Sequence, residues 1–222
     1  MRQVNQWIQS GEYNYVCRTD IRGYYANINK HKLINQLAEH VHNPIMLNLL
    51  AQFIFYTVEY GGTFHTPAKG ISRGSPLSPL LTGFHLYEVD DHFSNQNNCK
   101  YLRFMDDFII LCKTRHHLRI AVRELNQHFN RFGFQQHPAK TFIGKISNGF
   151  DFLGYNFDAS GLAGLAASTL AHHHEKLRQL YEQTQEKRKP QDALNLRVAN
   201  YQRRWRRWTK AGLTPEDGTT QI

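Results

Sequence analysis

The sequence predicts an α+β fold with a largely antiparallel sheet, followed by an all-α segment. Two patterns support this prediction. Up to about residue 165, short apolar runs bounded by turn residues are mixed with longer stretches whose apolar residues recur at helical spacing. From Ser168 onward the spacing is helical only, with a break near Pro190. The order strand, helix, helix, hairpin, helix, strand, strand before these last helices is typical of an α+β protein.

The composition is that of a globular protein without a membrane partner. The 222 residues are 41% hydrophobic and 13% aromatic, enough to bury a core as one domain with an appendage or as two small domains. No apolar run approaches the ~18 residues of a membrane span, and the N-terminus lacks the apolar stretch of a secretory signal. We therefore expect a cytoplasmic protein. Three cysteines without CxxC spacing predict reduced thiols rather than disulfides or a zinc site: Cys17, Cys99 and Cys112.

The positive charge of the chain is concentrated near its C-terminal end. The formal net charge is +9, and residues 168–210 contain 11 Lys and Arg against 4 Asp and Glu. Residues 1–167 contain 16 against 12. A basic surface of this kind favours a polyanionic partner, so the last segment is the candidate for nucleic-acid binding.

The first elements are a strand and two helices. The stretch "YNYVCRTDI" predicts a short strand that ends at Asp20, followed by a turn in "RGYYANINK". Apolar spacing predicts a helix over about 31–40 and another over about 44–58. Residues 59–79 are dense in Gly, Pro, Ser and Thr, which predicts loop and hairpin.

A third helix and a hairpin follow. Residues 77–93 have apolar residues at helical spacing, with Ser75 or Ser78 as the expected N-cap and proline in the first turn. The runs "YLRFM" and "FIILC" flank Asp106 and Asp107 and leave no room for a long loop. They predict a tight β-hairpin with the two acids at its tip.

One amphipathic helix and two strands complete the α+β part. Apolar residues from Leu118 to Phe129 predict a helix over 115–132, ended by Gly133. Strands are predicted around 141–145 and around 150–157, with the turn "SNG" between them.

Three acids fall at structurally special places. Asp20 ends one strand, and Asp106 and Asp107 lie at the hairpin tip, so neighbouring strands would bring the carboxylates together. Oxygen ligands without sulfur or imidazole favour Mg²⁺ or Mn²⁺ over zinc. Two such ions ~3.5 to 4 Å apart can catalyse phosphoryl transfer. The alternative is that adjacent acids are solvated turn residues, which is the commoner case for an isolated pair.

Five motifs together resemble those of reverse transcriptases, in their order and approximate spacing: "RTDIRGYYANINK", "GISRGSPLSPLL", "YLRFMDDFIIL", "FGFQQHPAKT" and "FDFLGY". They are most similar to the bacterial kind of group II introns and retrons, over about residues 13–157. The resemblance implies a polymerase palm, a ferredoxin-like antiparallel sheet packed on helices, followed by an all-α thumb. It also implies RNA-directed DNA polymerase activity, which extends a primer 3′-hydroxyl with deoxynucleotides by two-metal phosphoryl transfer.

The resemblance implies the catalytic and metal-binding residues. Asp20, Asp106, Asp107 and Lys140 match catalytic positions, with Lys140 near the departing pyrophosphate. Asp20, Ile21, Asp106 and Asp107 match the metal set, and the expected cofactor is Mg²⁺ or Mn²⁺. Where the family usually has Tyr at the start of the hairpin motif, this chain has Phe at position 104, which keeps the ring and loses a hydroxyl.

The resemblance also implies the nucleotide-binding residues. Tyr25 matches the aromatic steric gate, which would exclude a 2′-hydroxyl; the alternative is a core aromatic. Gly74 would let the backbone approach the template and the incoming nucleotide. Arg73 stands where many relatives have Gln, and can bind phosphate or stack on a base.

The residues expected to bind primer and template lie in three segments. Ser75 could bind phosphate or start a helix. Leu153 and Gly154 match the hairpin that grips the primer end, and the alternative is an ordinary strand. The basic cluster "YQRRWRRWTK" offers phosphate pairing and stacking, although its tryptophans could instead be core anchors. Its members are Arg203, Arg204, Trp205, Arg206, Arg207 and Trp208.

The change of sequence character near residue 165, together with the resemblance, predicts a palm domain at 1–165, a basic thumb-like helical segment at 166–211 and a polar tail at 212–222. The expected partners are an RNA template, a DNA or RNA primer and deoxynucleoside triphosphates. Only nineteen residues precede Asp20, where the family carries a fingers region. Three explanations stay open: a truncated chain, fingers supplied by another chain, or a catalytically impaired, maturase-like RNA- or DNA-binding or assembly factor. An RNA-templated RNA polymerase is a further alternative with the same palm.

Overall fold

A computed structural model of the chain describes residues 1–186 and 191–213. The expected break near Pro190 and residues 214–222 of the expected tail lie outside the described residues. The chain forms two compact units. We call Tyr15–Gly144 the central unit, and Met1–Asn14 together with the chain from Lys145 onward the terminal unit.

The α+β prediction is confirmed, and the elements are as follows. The helices are α1 Arg2–Gln9, α2 Tyr24–Asn27, α3 Lys30–Ala38, α4 Pro44–Ile54, α5 Ser78–His85, α6 Tyr87–Ser94, α7 Arg115–Phe132, α8 Ala167–Glu186 and α9 Gln191–Leu213. The strands are β1 Tyr15–Asp20, β2 Val58–Tyr60, β3 Thr63–His65, β4 Cys99–Phe104, β5 Asp107–Cys112, β6 Phe142–Lys145, β7 Phe150–Phe152, β8 Tyr155–Asp158 and β9 Gly161–Leu165. Among the described helices, none combines the length and apolar character needed to cross a membrane.

The central unit is built on a four-stranded sheet of order β4-β5-β1-β6. Strand β5 is antiparallel to both β4 and β1, with Asp107 opposite Phe104 on one side and opposite Asp20 on the other. Alternate residues of a strand share a face, so Phe108 and Ile110 point away from the acids. Both are fully buried in the main core of the unit, and the three cysteines are buried and free, as predicted.

Helix α7 contributes several buried apolar side chains to this core. Its side chains Leu118, Leu125 and Phe129 are buried, and the Phe129 ring packs edge-on against Phe108 at 5.2 Å between centroids. Burying each such side chain stabilises the fold by about 1.5 to 3 kcal/mol. The helix ends as predicted at Gly133, which has the left-handed φ of 76° that glycine tolerates best.

The segment at 77–93 is the main departure from the sequence prediction, because it forms two helices that are separated at Leu86. Side chains from outside α5 donate hydrogen bonds to carbonyls near the end of this helix. The Tyr24 hydroxyl donates to the Thr82 carbonyl at 2.6 Å, and the Arg103 guanidinium donates to the Gly83 carbonyl at 3.1 Å. These are tertiary contacts, which helical periodicity does not report.

Smaller departures concern element ends. Helix α5 has Leu77 as N-cap, so neither expected serine caps it; Ser75 only accepts a 3.4 Å bond from the Leu77 amide. The helix expected over 44–58 ends at Ile54, and Val58 instead begins the β2–β3 hairpin. The strand expected over 150–157 is a hairpin of β7 and β8. Helices α1 and α2 were not predicted.

The terminal unit contains a three-stranded sheet, β7-β8-β9, together with α1, α8 and α9. The Asn5 side chain of α1 accepts a 2.7 Å hydrogen bond from the Leu162 amide of β9. Helices α8 and α9 pack through a small apolar cluster that includes Leu180, Leu194 and Val198. The small sheet therefore belongs to the same compact unit as the C-terminal helices. The division into a functional palm at 1–165 and a thumb after it stays a prediction.

Candidate active site

Two of the three acids are direct neighbours across the sheet. Asp20 ends β1, and Asp107 begins β5 opposite it. Directly opposed residues of an antiparallel pair have side chains on the same face, so the two carboxylates share one side of the sheet. Arg18 lies on that face too, two residues before Asp20. The third acid, Asp106, is linked to β1 through its carbonyl, which accepts a 3.1 Å bond from the Ile21 amide.

The turn that carries Asp106 has an uncommon backbone. Met105 and Asp106 form a two-residue loop between Phe104 and Asp107, and Met105 has a φ of 59°. A positive φ at only the first of two loop residues is the pattern of a type II′ hairpin turn, in which glycine is usual. A side chain there is strained, and such strain persists only where neighbouring structure enforces it. One neighbour is Tyr25, whose hydroxyl donates to the Met105 sulfur at 3.2 Å.

Two of the three acids have pKa values above the ordinary value of an aspartate. Partial burial, and after it the charges of Asp20 and Asp106, raise the pKa of Asp107 to about 6. Burial also raises the pKa of Asp106, while the Arg73 guanidinium is among the groups that oppose this rise. A carboxylate cluster with raised pKa values favours a bound cation, because a cation would relieve the repulsion.

Lys140 already provides one positive charge. Its ammonium pairs with Asp20, whose side chain is only 5% exposed, and this hydrogen bond raises the pKa of Lys140. The short helical turn Pro138–Lys140 holds the lysine there, because the His137 amide donates to the Asp20 carbonyl at 2.8 Å. The Arg18 guanidinium donates to the Lys140 carbonyl at 2.6 Å. The lysine is thus fixed to the end of β1 from both sides.

The donor set fits Mg²⁺ or Mn²⁺. Asp20, Asp106 and Asp107 offer only oxygen, and the side chain of Ile21 is apolar and fully buried, so only its carbonyl could join them. Within the described residues, no group of three or more His, Cys, Asp or Glu is spaced to hold a metal by itself. Mg²⁺ is usually bound through one or two carboxylates plus substrate phosphates, so a complete protein cage is not required.

The residues expected to bind nucleotide lie in the same unit. Tyr25 is half-buried, with its ring 5.8 Å edge-on from Tyr24 and its hydroxyl on Met105. Arg73 is exposed. Gly74 has a φ of 86°, and a Cβ built on it would meet no atom within 4 Å, so the space beside its backbone is open. The structure therefore places the Tyr25 ring next to the acidic turn. The loop that contains Arg73 and Gly74 is exposed, with open space beside the Gly74 backbone.

The expected primer-gripping hairpin belongs to the terminal unit. Leu153 and Gly154 join β7 to β8 with φ values of 48° and 85°, and two positive values are the pattern of a type I′ turn. The Gly154 carbonyl accepts 2.9 Å bonds from the Ala166 amide and the Thr169 hydroxyl. A Cβ at Gly154 would lie 2.9 Å from the Trp208 ring and from Thr169. The close packing of Trp208 and Thr169 within this unit therefore explains why position 154 is a glycine.

The basic cluster on α9 divides by exposure. The arginines are exposed: Arg203, Arg204, Arg206 and Arg207. Trp205 stacks on His173 of α8 at 3.8 Å between ring centroids, so it anchors the helix pair. Trp208 lies 5.1 Å from the Tyr155 ring and is 42% exposed. The tryptophans thus have a packing role, and the arginines present a basic surface.

Sequence reasoning missed three polar residues near the acidic turn. Arg18 could have been found from the period of two along β1, since it shares a face with Asp20. Arg103 and Asp90 form a partly buried ion pair beside the turn. Thirteen residues separate them and no local pattern joins them, so only the folded chain could reveal the pair.

The antiparallel sheet packed on helices, with acids at a strand end and at a hairpin tip, is similar to the palm fold of template-directed polymerases. The chain belongs to the reverse transcriptase (RNA-dependent DNA polymerase) family, whose model matches residues 1–157. No curated protein matches the chain significantly in sequence.

Solved structures of telomerase share the fold. Apo telomerase from Candida tropicalis is similar with a TM-score of 0.58 at 14% identity, over 72% of this chain and 35% of that one. Telomerase from Candida albicans, in complex with a TWJ fragment of telomeric RNA, is similar with a TM-score of 0.56 at 14% identity, over 76% and 35%. This chain therefore spans about a third of the length of those proteins.

Proposed function

We propose that this protein is an RNA-directed DNA polymerase of the bacterial kind found in group II introns and retrons. It extends a primer 3′-hydroxyl with deoxynucleoside triphosphates on an RNA template. The observation that carries the proposal is the convergence of Asp20, Asp106 and Asp107 at one end of the antiparallel sheet. The five motifs support the bacterial subtype, and family membership supports the polymerase class.

The acids and Lys140 have distinct roles in this proposal. Mg²⁺ or Mn²⁺, when bound, supplies the charge that activates the primer hydroxyl and stabilises the leaving oxygen. Asp20 and Asp106 would hold the metal, with Asp107 beside them and the Ile21 carbonyl as a further oxygen. Lys140 stays protonated, because its pairing with Asp20 raises its pKa. Released from Asp20, its ammonium is placed to stabilise the charge of the departing pyrophosphate.

Tyr25 selects the sugar in this proposal. The bond of its hydroxyl to Met105 ties the ring to the acidic turn. A fixed ring at this place would collide with a 2′-hydroxyl, and Arg73 and Gly74 would contact the triphosphate and base from the open loop. Tyr25→Ala should increase ribonucleotide incorporation relative to deoxynucleotide incorporation, and Tyr87→Ala, which truncates an exposed tyrosine on α6, is the matched control. A wild-type preference for ribonucleotides would instead support an RNA-templated RNA polymerase.

The exposed arginines of α9 bind the template and primer in this proposal. Arg203, Arg204, Arg206 and Arg207 pair with phosphates, and the partly exposed Trp208 contacts sugar or base. Leu153 and Gly154 hold the primer end, and Ser75 lies near the template strand.

Primer extension on an RNA template tests the proposed function. Asp20→Asn and Asp106→Asn should each lower the extension rate by at least about 100-fold, because each removes a carboxylate ligand. Asp91→Asn, on the exposed side of α6, is the matched control and should retain wild-type rate. Extension that persists in both active-site variants would overturn the proposed function.

A second candidate function is a catalytically impaired nucleic-acid-binding factor, of maturase or assembly type. It is favoured by the exposed arginine surface of α9, which binding to nucleic acid would use without catalysis. Tight duplex binding without extension, unchanged by Asp106→Asn, would support it. If adding a second chain that carries a fingers segment restores extension, the polymerase proposal stands with that chain as partner.

A further inference from the structure

One side chain connects the acidic turn to the helices that pack on the sheet. Arg103, the next-to-last residue of β4, donates to the Met105 carbonyl at 2.9 Å and to the Gly83 carbonyl at 3.1 Å. Its Nε donates to Asp90 Oδ1 at 2.7 Å, and its second terminal nitrogen pairs with Asp90 Oδ2. The guanidinium thus reaches the turn, α5 and α6 together.

The ion pair is enclosed rather than on the surface. The Arg103 side chain is 8% exposed and that of Asp90 is 30% exposed. The Tyr101 hydroxyl also donates to Asp90 Oδ1, at 2.6 Å. The planar fork of arginine suits such an arrangement, because it can serve a carboxylate and two carbonyls in fixed directions at once. Lysine has one charged nitrogen and cannot serve all three acceptors from the same position.

The contact to Met105 matters because that residue has the positive φ of the turn. The carbonyl of Met105 is part of the peptide unit that leads directly into Asp106. Besides Arg103, the described side-chain contact to this residue is the Tyr25 bond to its sulfur, which is a weak acceptor. Of these two side-chain contacts to Met105, the charge-assisted bond from Arg103 to its carbonyl is the stronger restraint.

We propose that Arg103, itself oriented by Asp90, is a positioning residue that fixes the acidic turn in its catalytic geometry. This inference rests on the proposed polymerase function of the same site. Arg103 touches neither metal nor substrate in this role; it acts through the Met105 carbonyl on the direction of the Asp106 carboxylate. Loss of its fork lets the turn relax towards an unstrained backbone and moves the acids apart.

A role confined to stability makes different predictions. If Arg103 only ties the hairpin to the helices, its loss lowers the melting temperature and the amount of folded enzyme, while the folded enzyme keeps its turnover number. If it positions the turn, kcat falls in folded enzyme, and more Mg²⁺ is needed for half-maximal rate. KM for the deoxynucleotide changes less, because Arg103 does not contact it.

The kinetic test uses Arg103→Lys, which keeps a cation beside Asp90 and so protects the fold. We expect kcat for primer extension to fall about 10- to 100-fold, the scale of a misplacement near 1 Å. The Mg²⁺ requirement should rise with it, at a melting temperature close to that of the wild type. Tyr101→Phe removes one donor to Asp90 and leaves the Arg103 fork intact, so its kcat should change less than threefold. Arg131→Gln breaks the exposed Arg131–Glu88 pair and is the control for loss of an ion pair.

A second measurement does not depend on activity. The Ile21 amide donates to the Asp106 carbonyl, so its hydrogen exchange reports whether the turn stays docked on β1. Arg103→Lys should speed exchange at Ile21 at least tenfold and leave the Leu125 amide, in the middle of α7, unchanged. Unchanged exchange at Ile21, or unchanged kcat and Mg²⁺ requirement in an active enzyme, would overturn the proposal. If the wild type shows no extension, with or without a second chain that carries a fingers segment, the proposed function fails, and the exchange result still decides the role of Arg103.

Discussion

Replacing Asp107 by Asn should stabilise the metal-free protein at neutral pH. The fold holds this carboxyl at a pKa of about 6, against an ordinary value of 3.8, mainly through burial and then through the neighbouring acids. That difference corresponds to about 3 kcal/mol of interaction that disfavours the ionised folded form. Because the carboxyl is only partly buried, solvent screening reduces the expected effect to about 1 to 2 kcal/mol.

The pH dependence gives this prediction its sign. Below about pH 4 both the folded and the unfolded chain hold the proton, so the raised pKa has no effect on stability. Between about pH 4 and 6 the unfolded chain loses the proton first, and the free energy of unfolding falls as pH rises. Above about pH 6 both states are ionised, so the lowered free energy of unfolding no longer changes with pH. Asn carries no charge, so the advantage of Asp107→Asn should grow through this window and then level off.

Urea denaturation in the presence of a chelator, from pH 5 to pH 8, measures the difference between the two proteins. Asp158→Asn is the opposite-sign control, because hydrogen bonds from Ser160 hold the pKa of Asp158 below its ordinary value. A variant that is less stable than wild type at pH 7.5, or a difference that does not change with pH, would refute the reasoning. It would show that the acids are solvated independently of one another.

Three further predictions concern other parts of the molecule. Gly154→Ala should destabilise the fold by about 1 to 3 kcal/mol in thermal unfolding, because the new Cβ would meet the Trp208 ring. Gly74→Ala is the control: its φ is similar but the space around it is open, so its loss of stability should be smaller. Phe129→Ala should lower the free energy of unfolding, measured by denaturant titration, by about 3 to 5 kcal/mol, because it leaves a cavity beside the buried Phe108 ring. A decrease under about 1 kcal/mol would contradict this packing. Arg207→Gln should reduce the salt slope of duplex binding by about 0.7 to 0.9 in a fluorescence titration, and an unchanged slope would remove Arg207 from the interface.

Local sequence predicted the elements whose signals lie within a few residues of one another. The hairpin with Asp106 and Asp107 at its tip was predicted because the apolar runs on both sides leave no other short connection. Helix α7 was predicted from its first residue to Gly133, since apolar spacing and a C-terminal glycine are both local signals. The break at Leu86 was not predicted, and the side chains that bond the carbonyls just before it, Tyr24 and Arg103, are distant in sequence.

The candidate site divides in the same way. The sequence alone predicted that Asp20, Asp106 and Asp107 lie at a strand end and at a hairpin tip, because residue type and periodicity are encoded locally. The tertiary structure decided that Asp107 rather than Asp106 faces Asp20 directly, and that Lys140 pairs with Asp20. It also placed the Arg103 guanidinium within hydrogen-bond distance of the Met105 carbonyl. Strand register and long-range pairing depend on how the whole sheet and its helices pack together, and no short stretch of sequence contains that information.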